Sequence, residues 1–163
     1  MNAIGKVLFP EQANNDYRGG ALPFWGFCLL FAAEIFSAWV HLLLPDSGKN
    51  LIGGMIQFQG TPDPNAVIYA LGATSGANEM LLVIIFGVVL WRYRNLIPFL
   101  LLLLAVEQVL RLLVSGLHPI GSEYFEHIPP AKIAMVPRLI FSSLMLLLAV
   151  RTTSKAEASD PSG

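Results

Sequence analysis

The sequence predicts an all-α protein, an integral membrane four-helix bundle with both termini in the cytoplasm. Three observations carry that prediction. Hydrophobic residues make up 55 % of the 163 and charged ones only 13 %, against a usual charged share of about 25 %. Four stretches are long and apolar enough to cross a hydrocarbon core about 30 Å thick, which takes roughly 20 helical residues. The basic residues are also divided unevenly between the two sides these spans define, which sets orientation by the positive-inside rule. A net charge of −1 leaves no electrostatic footprint for nucleic acid. Cys28 is the single cysteine, which excludes an intramolecular disulfide and an all-cysteine metal site.

Residues 1–20 are polar after Pro10. Their apolar piece, Val7-Leu8-Phe9, is too short for the core of a signal peptide. An uncleaved cytoplasmic segment is expected, with a short interfacial helix around residues 3 to 9. The first span covers about 21–44. Pro23 sits where a helix start tolerates proline, and Pro45-Asp46 stops it. Trp25 and Trp39 fall toward its ends, where aromatic belts form. In the following loop Leu51, Ile52, Met55, Ile56 and Gln59 recur at helical spacing, which predicts a short amphipathic helix on the membrane surface. Thr61-Pro62-Asp63-Pro64 is a firm break.

The second span covers about 67–91. Its first half holds Gly72, Ala73, Gly76 and Ala77, a small-residue pattern that lets helices approach closely. Arg92-Tyr93-Arg94-Asn95 is a tight basic turn, and the third span follows over about 96–117. The loop 118–130 leads to the fourth span, about 131–150, with Pro137 and Arg138 in its first half. The tail 151–163 reads as disordered. Lys6, Arg18, Arg92, Arg94, Arg151 and Lys155 lie on the terminal side, and only Lys49 and Lys132 on the other. This places both termini in the cytoplasm of an inner-membrane protein. Tyr69, Trp91, Tyr93 and Tyr124 read as interface anchors.

Each span carries ionisable residues near its middle: Glu34 and His41 on the first, Glu79 on the second, Glu107 and Arg111 on the third, Arg138 on the fourth. At about 1.5 Å per residue, all six fall between the midplane and the outer face, so they form one charged layer. Gln108 belongs to the same cluster. Glu107 and Arg111 stand four apart, as an intrahelical ion pair requires, and Ser115 and His118 continue their stripe. Three carboxylates against two arginines leave a formal imbalance of −1 that a protonated Glu or a charged His41 would balance.

Two readings of the cluster follow. It is a brace that fixes helix register, or it is a site, because ionisable groups inside membranes mark ligand, proton or ion routes. His118, Glu123, Glu126 and His127 share one loop, but their spacing matches no standard metal site, and a solvated loop is the reading adopted. No phosphate loop, nucleophile elbow, haem attachment sequence or zincin helix is present, so no cofactor and no metal are expected.

The order Gly72-Ala-Thr-Ser-Gly76-Ala-Asn-Glu79, then Gly87, a short basic turn and a third helix bearing Arg111 resembles the DoxX-like small bacterial four-helix membrane proteins. The resemblance covers roughly Leu71 to Val150. It implies the same bundle fold and, more loosely, a link to redox or sulfur metabolism. The first span with Glu34 and His41, and the loop after it, lie outside that pattern.

The leading expectation is an accessory or interaction protein without its own chemistry. Its partners are the lipid bilayer and a protein or second copy of itself. The rival is a bundle in which a small molecule or lipid enters from the outer side and meets Glu34, His41, Glu79, Glu107 and Arg138. A third reading is a proton-coupled carrier, dimerising through the small-residue face of the second span.

Overall fold

The computed structural model describes residues 3–158. The chain is helical, in the order α1 (Ala3–Leu8), α2 (Ala21–Leu43), α3 (Pro64–Arg92), α4 (Ile97–Leu117) and α5 (Pro130–Ala158). Short 3-10 turns cover Arg94–Leu96 and Ser122–Tyr124. Four of the helices are long and apolar enough to cross a membrane. The starts follow local chemistry. The Asp63 carboxylate accepts from the Asn65 N–H, and Pro64 occupies the first turn of α3, where a missing N–H costs nothing. Pro98 does the same for α4.

The helices pack as two hairpins, α2 with α3 and α4 with α5, joined chiefly through α2 on α5. The sequence neighbours α3 and α4 touch only sparsely. Both termini and the 93–96 turn lie at one end, the terminal end. The long connections 44–63 and 118–129 lie at the other, the loop end. The terminal half holds the apolar core: Phe27, Leu30, Phe86, Ile97, Leu100, Leu101, Leu104, Met145 and Ala149 are all buried. Phe27 and Phe86 meet with ring centroids 5.9 Å apart. Outward positions are apolar too, with Leu22, Leu29, Phe36, Leu71 and Trp91 each exposed.

The interfacial segment expected at residues 3 to 9 is the helix α1. It packs on α4 and α5, with Val7 buried and Phe9 against Phe99 at 5.5 Å. The Asn95 side chain then ties the segment down, accepting from the Asn14 N–H at 2.9 Å and donating to the Gln12 carbonyl at 2.8 Å. Tyr17 lies beneath this strap with its hydroxyl unpartnered among the described residues, and burial pushes its phenol well above the ordinary value.

Two expectations are corrected. Residues 151–158 continue α5 rather than forming a disordered tail. No glycine or proline interrupts them, and the Thr152 and Thr153 hydroxyls bond back to the Leu148 and Ala149 carbonyls, each at 2.9 Å. The rest of that tail, 159–163, lies outside the described residues. Nor do residues 51–59 form an amphipathic helix. Ser47, Gly48 and Gly54 adopt positive φ, which a helix forbids. The Asp46 carboxylate gathers the N–H groups of Gly48, Asn50 and Leu51 at 2.9, 3.0 and 2.7 Å into a wound turn. Burial pushes the Asp46 carboxyl up, but these backbone donors outweigh it, so it sits below the usual carboxylate range.

The two long loops close on each other. Met55 and Phe125 form an antiparallel bridge, with the Ile56 N–H donating to the Tyr124 carbonyl at 3.1 Å and the Glu126 N–H to the Gly54 carbonyl at 2.7 Å. Tyr69, expected as an interface anchor, instead donates to Asn50 and holds the first loop against α3.

The small-residue face of α3 is spent inside the chain. A Cβ on Gly76 would stand 2.5 Å from the Leu42 nitrogen and 2.7 Å from the His41 carbonyl carbon, so α2 and α3 meet backbone to backbone. On Gly72 it would stand 2.8 Å from Lys49 Cε. Gly72 and Gly76 are thus taken up within the chain, whereas Ala77 of the same pattern is exposed.

Candidate functional site

The polar half of the bundle is built from the same helices as the core, further toward the loop end. α2 contributes Glu34, Ser37 and His41 at intervals of three and four, so they share one face. α3 contributes Glu79 beside the Gly76 crossing, which brings the carboxylate within reach of α2. Ser37 Oγ donates to Glu79 Oε2 at 2.9 Å, and His41 Nδ1 lies 3.0 Å from the same oxygen. Across the sparse α3–α4 boundary, Arg111 Nη2 donates to Glu79 Oε1 at 3.1 Å. Arg111 Nε also donates to Glu107 Oε1 at 2.7 Å, the i, i+4 pair expected from the sequence. Three helices thus meet at Glu79, whose side chain is 11 % exposed.

Glu34 and Arg138 form a second unit, joining α2 to α5 through a direct ion pair. The carboxylate is the more buried partner, at 8 % side-chain exposure against 24 %. Pro137 cannot donate a backbone hydrogen bond inside α5, one residue before this contact. Among the described residues no hydrogen bond joins this pair to the Glu79 network. The charges expected as one layer are therefore two units that share a level. Gln108, placed in the cluster from sequence, is buried at 2 % exposure, and its Nε2 has no partner among the described residues. Arg138 Nε is likewise unpartnered.

Above the Glu79 network a cavity of about 420 Å³ opens at the loop end. His41 and Arg111 form part of its wall, and Lys49, His118 and Lys132 supply the rest of its ionisable lining. No carboxylate lines it. The stripe Arg111, Ser115 and His118 runs up one side, and Met55 and Phe125, the bridged loop residues, contribute to another. The expectation that a ligand would meet the carboxylates is corrected. Glu79 and Glu107 point at their cations, while Glu34 and Arg138 lie outside the lining. The network presents its positive groups to the cavity.

Lys49 and Lys132 entered the sequence reading only as topology markers, yet among the described residues neither is ion-paired. Their shared feature was that they are the two basic residues on an otherwise uncharged-to-acidic side. His118, Glu123, Glu126 and His127 do not converge. His118 faces the cavity, while Glu126 and His127 line a smaller adjoining one with Lys132. Among the described residues no three metal-ligating side chains gather at one point. No family profile, curated protein or solved structure matches this chain.

Proposed function

We propose that this chain is a multi-pass protein of the inner cell membrane, with both termini in the cytoplasm. In that placement it binds an anionic small molecule or lipid in the loop-end cavity, on the outer side. Four apolar spans and their exposed outward residues support the membrane placement, and the six-to-two division of basic residues supports the orientation. The layout shared with DoxX-like proteins over residues 71–150 agrees with that placement and leaves the ligand open. The observation that carries the binding reading is the lining itself: five basic or imidazole side chains and no carboxylate around one cavity. Arg111 and His41 already have carboxylate partners behind the wall, but Lys49 and Lys132 bring two cations with no ion-pair partner among the described residues to the same recess, which favours an anion there. Glu79 and Glu107 act as the brace that holds Arg111 and His41 at the cavity floor, and no catalytic step is part of this proposal.

A second reading, an accessory or interaction protein without a ligand, is favoured by the internal pairing of every carboxylate in the charged half. One titration separates the two. Phenyl phosphate and phenol are added to protein in a neutral maltoside detergent, and the thermal midpoint is followed. The binding reading expects phenyl phosphate alone to stabilise the protein, with saturation, and expects Lys49→Gln/Lys132→Gln to abolish the effect. Equal responses from wild type and the double variant overturn it in favour of the accessory reading.

A further inference from the structure

Beside the cationic cavity lies a second, largely apolar recess of about 510 Å³. Its walls are Leu71 and Ser75, exposed on α3, with Ile68 and the buried Gly72 beside them, and Phe58, Pro119 and Tyr124 from the two loops. Lys49, Met55 and Ile120 line both recesses. The two are therefore neighbours separated only by those three side chains. From Pro64 at the loop end to Ser75 is about 16 Å of helix, so the apolar recess runs as a groove down α3 from loop level toward the middle of the bundle. Leu71 is 66 % exposed at its edge. Lys49 sits where the groove meets the cavity, in the space that Gly72 leaves free.

We infer that the ligand is an anionic lipid of the outer leaflet. Its headgroup enters the cationic cavity past Lys49, and an acyl chain lies in the α3 groove. This rests on the anion-binding reading above and adds to it the chain and the route of entry. The orientation of the two recesses argues for it. An outer-leaflet lipid carries its charge at the level of the loops and its chain toward the midplane, and the cations and the groove are stacked in that order. A soluble anion would need the cavity and have no use for an apolar groove open to the bilayer. The charge complementarity is one-sided as well. A zwitterionic headgroup would bring an ammonium into a cavity lined by Lys49, Arg111 and Lys132, and like charges gathered there repel it.

The test uses full-length protein in nanodiscs of phosphatidylcholine. Trace phosphatidylglycerol or phosphatidylcholine carries a photoactivated diazirine on the acyl chain. Labelling of the peptide holding Ile68–Ser75 is divided by labelling of an α5 peptide holding Ile140 and Leu144, which are exposed on the bundle surface. The expected result is a ratio at least about tenfold higher for phosphatidylglycerol than for phosphatidylcholine. That excess should be lost in Lys49→Gln/Lys132→Gln and in Ser75→Trp, which fills the groove from an exposed position. Leu71→Trp serves as a second groove-filling variant should Ser75→Trp fail to fold. Ser75→Trp should still be stabilised by phenyl phosphate, because it leaves the cavity untouched. Equal ratios for the two lipids, with phenyl phosphate still stabilising the wild type, overturn the lipid inference and leave the cavity reading standing. If phenyl phosphate also fails, both fall.

Discussion

Glu34 and Arg138 make the sharpest energetic prediction, because among the described residues each is the other's only ionic partner, with Glu34 buried and Arg138 largely so. Arg138→Met keeps the volume and removes the guanidinium. Glu34 is then enclosed without its counter-ion, and removing one member of a buried pair costs roughly 3–5 kcal/mol. Adding Glu34→Gln removes the stranded acid, and the double variant should return to within about 1 kcal/mol of wild type. The unpartnered Arg138 Nε points the same way, since the intact pair is incompletely satisfied and contributes little net stability. Reversible unfolding in mixed micelles, followed by far-ultraviolet circular dichroism, measures all of these differences. A single-variant loss below about 1 kcal/mol, or a double variant that stays as unstable as the single one, would refute the reasoning.

Two further predictions concern the scaffold around the site. Gly76→Ala should destabilise by about 1–3 kcal/mol, because its methyl would meet the α2 backbone at 2.5 Å. Gly116→Ala, with nothing within 4 Å, should be neutral or slightly stabilising in the same thermal scan, and similar losses at the two glycines would count against the close α2–α3 crossing. Asp46 is stabilised as the carboxylate, so its contribution is present above the unfolded value of about 3.9 and is lost as pH falls through the lower folded value. The gap in thermal midpoint between wild type and Asp46→Ala, measured from pH 6 downward, should therefore narrow below about pH 4, whereas a gap independent of pH would show that the turn does not depend on that charge.

What the sequence made readable follows from what helices do alone. Segment length and hydropathy located the four spans, and the regular rise put Glu34, Glu79, Glu107 and Arg138 at similar levels. The spacing of four identified the Glu107–Arg111 pair. Partners across helices were another matter. Whether Glu79 meets His41 or Arg138 depends on the rotation of each helix and on which helices are neighbours, and neither is encoded in periodicity. The sparse α3–α4 contact was hidden because consecutive helices joined by a short turn are normally packed together. The loop after α2 differs from the helix expected because four apolar residues and Gln59 at helical spacing do not register Gly53 and Gly54, which break a helix. The deciding feature, Asp46 collecting three backbone N–H groups, is visible only once the turn is formed. Lys49 and Lys132 stand 83 positions apart in the chain and come to one cavity only because the two loops bridge.

The hairpin arrangement bears on how such a chain would be assembled in a membrane. Most of the charged side chains find a partner early. His41, Ser37 and Glu79 satisfy one another within the α2–α3 hairpin, and Glu107 has Arg111 on its own helix. These contacts can form before the two hairpins dock. The Glu34–Arg138 and Glu79–Arg111 pairs cannot, because each draws one residue from each hairpin. Their members remain polar signals on two half-built units until those units find each other. Both pairs close only when the hairpins dock in this arrangement, so the α2–α5 and α3–α4 contacts together distinguish correct docking from any other pairing.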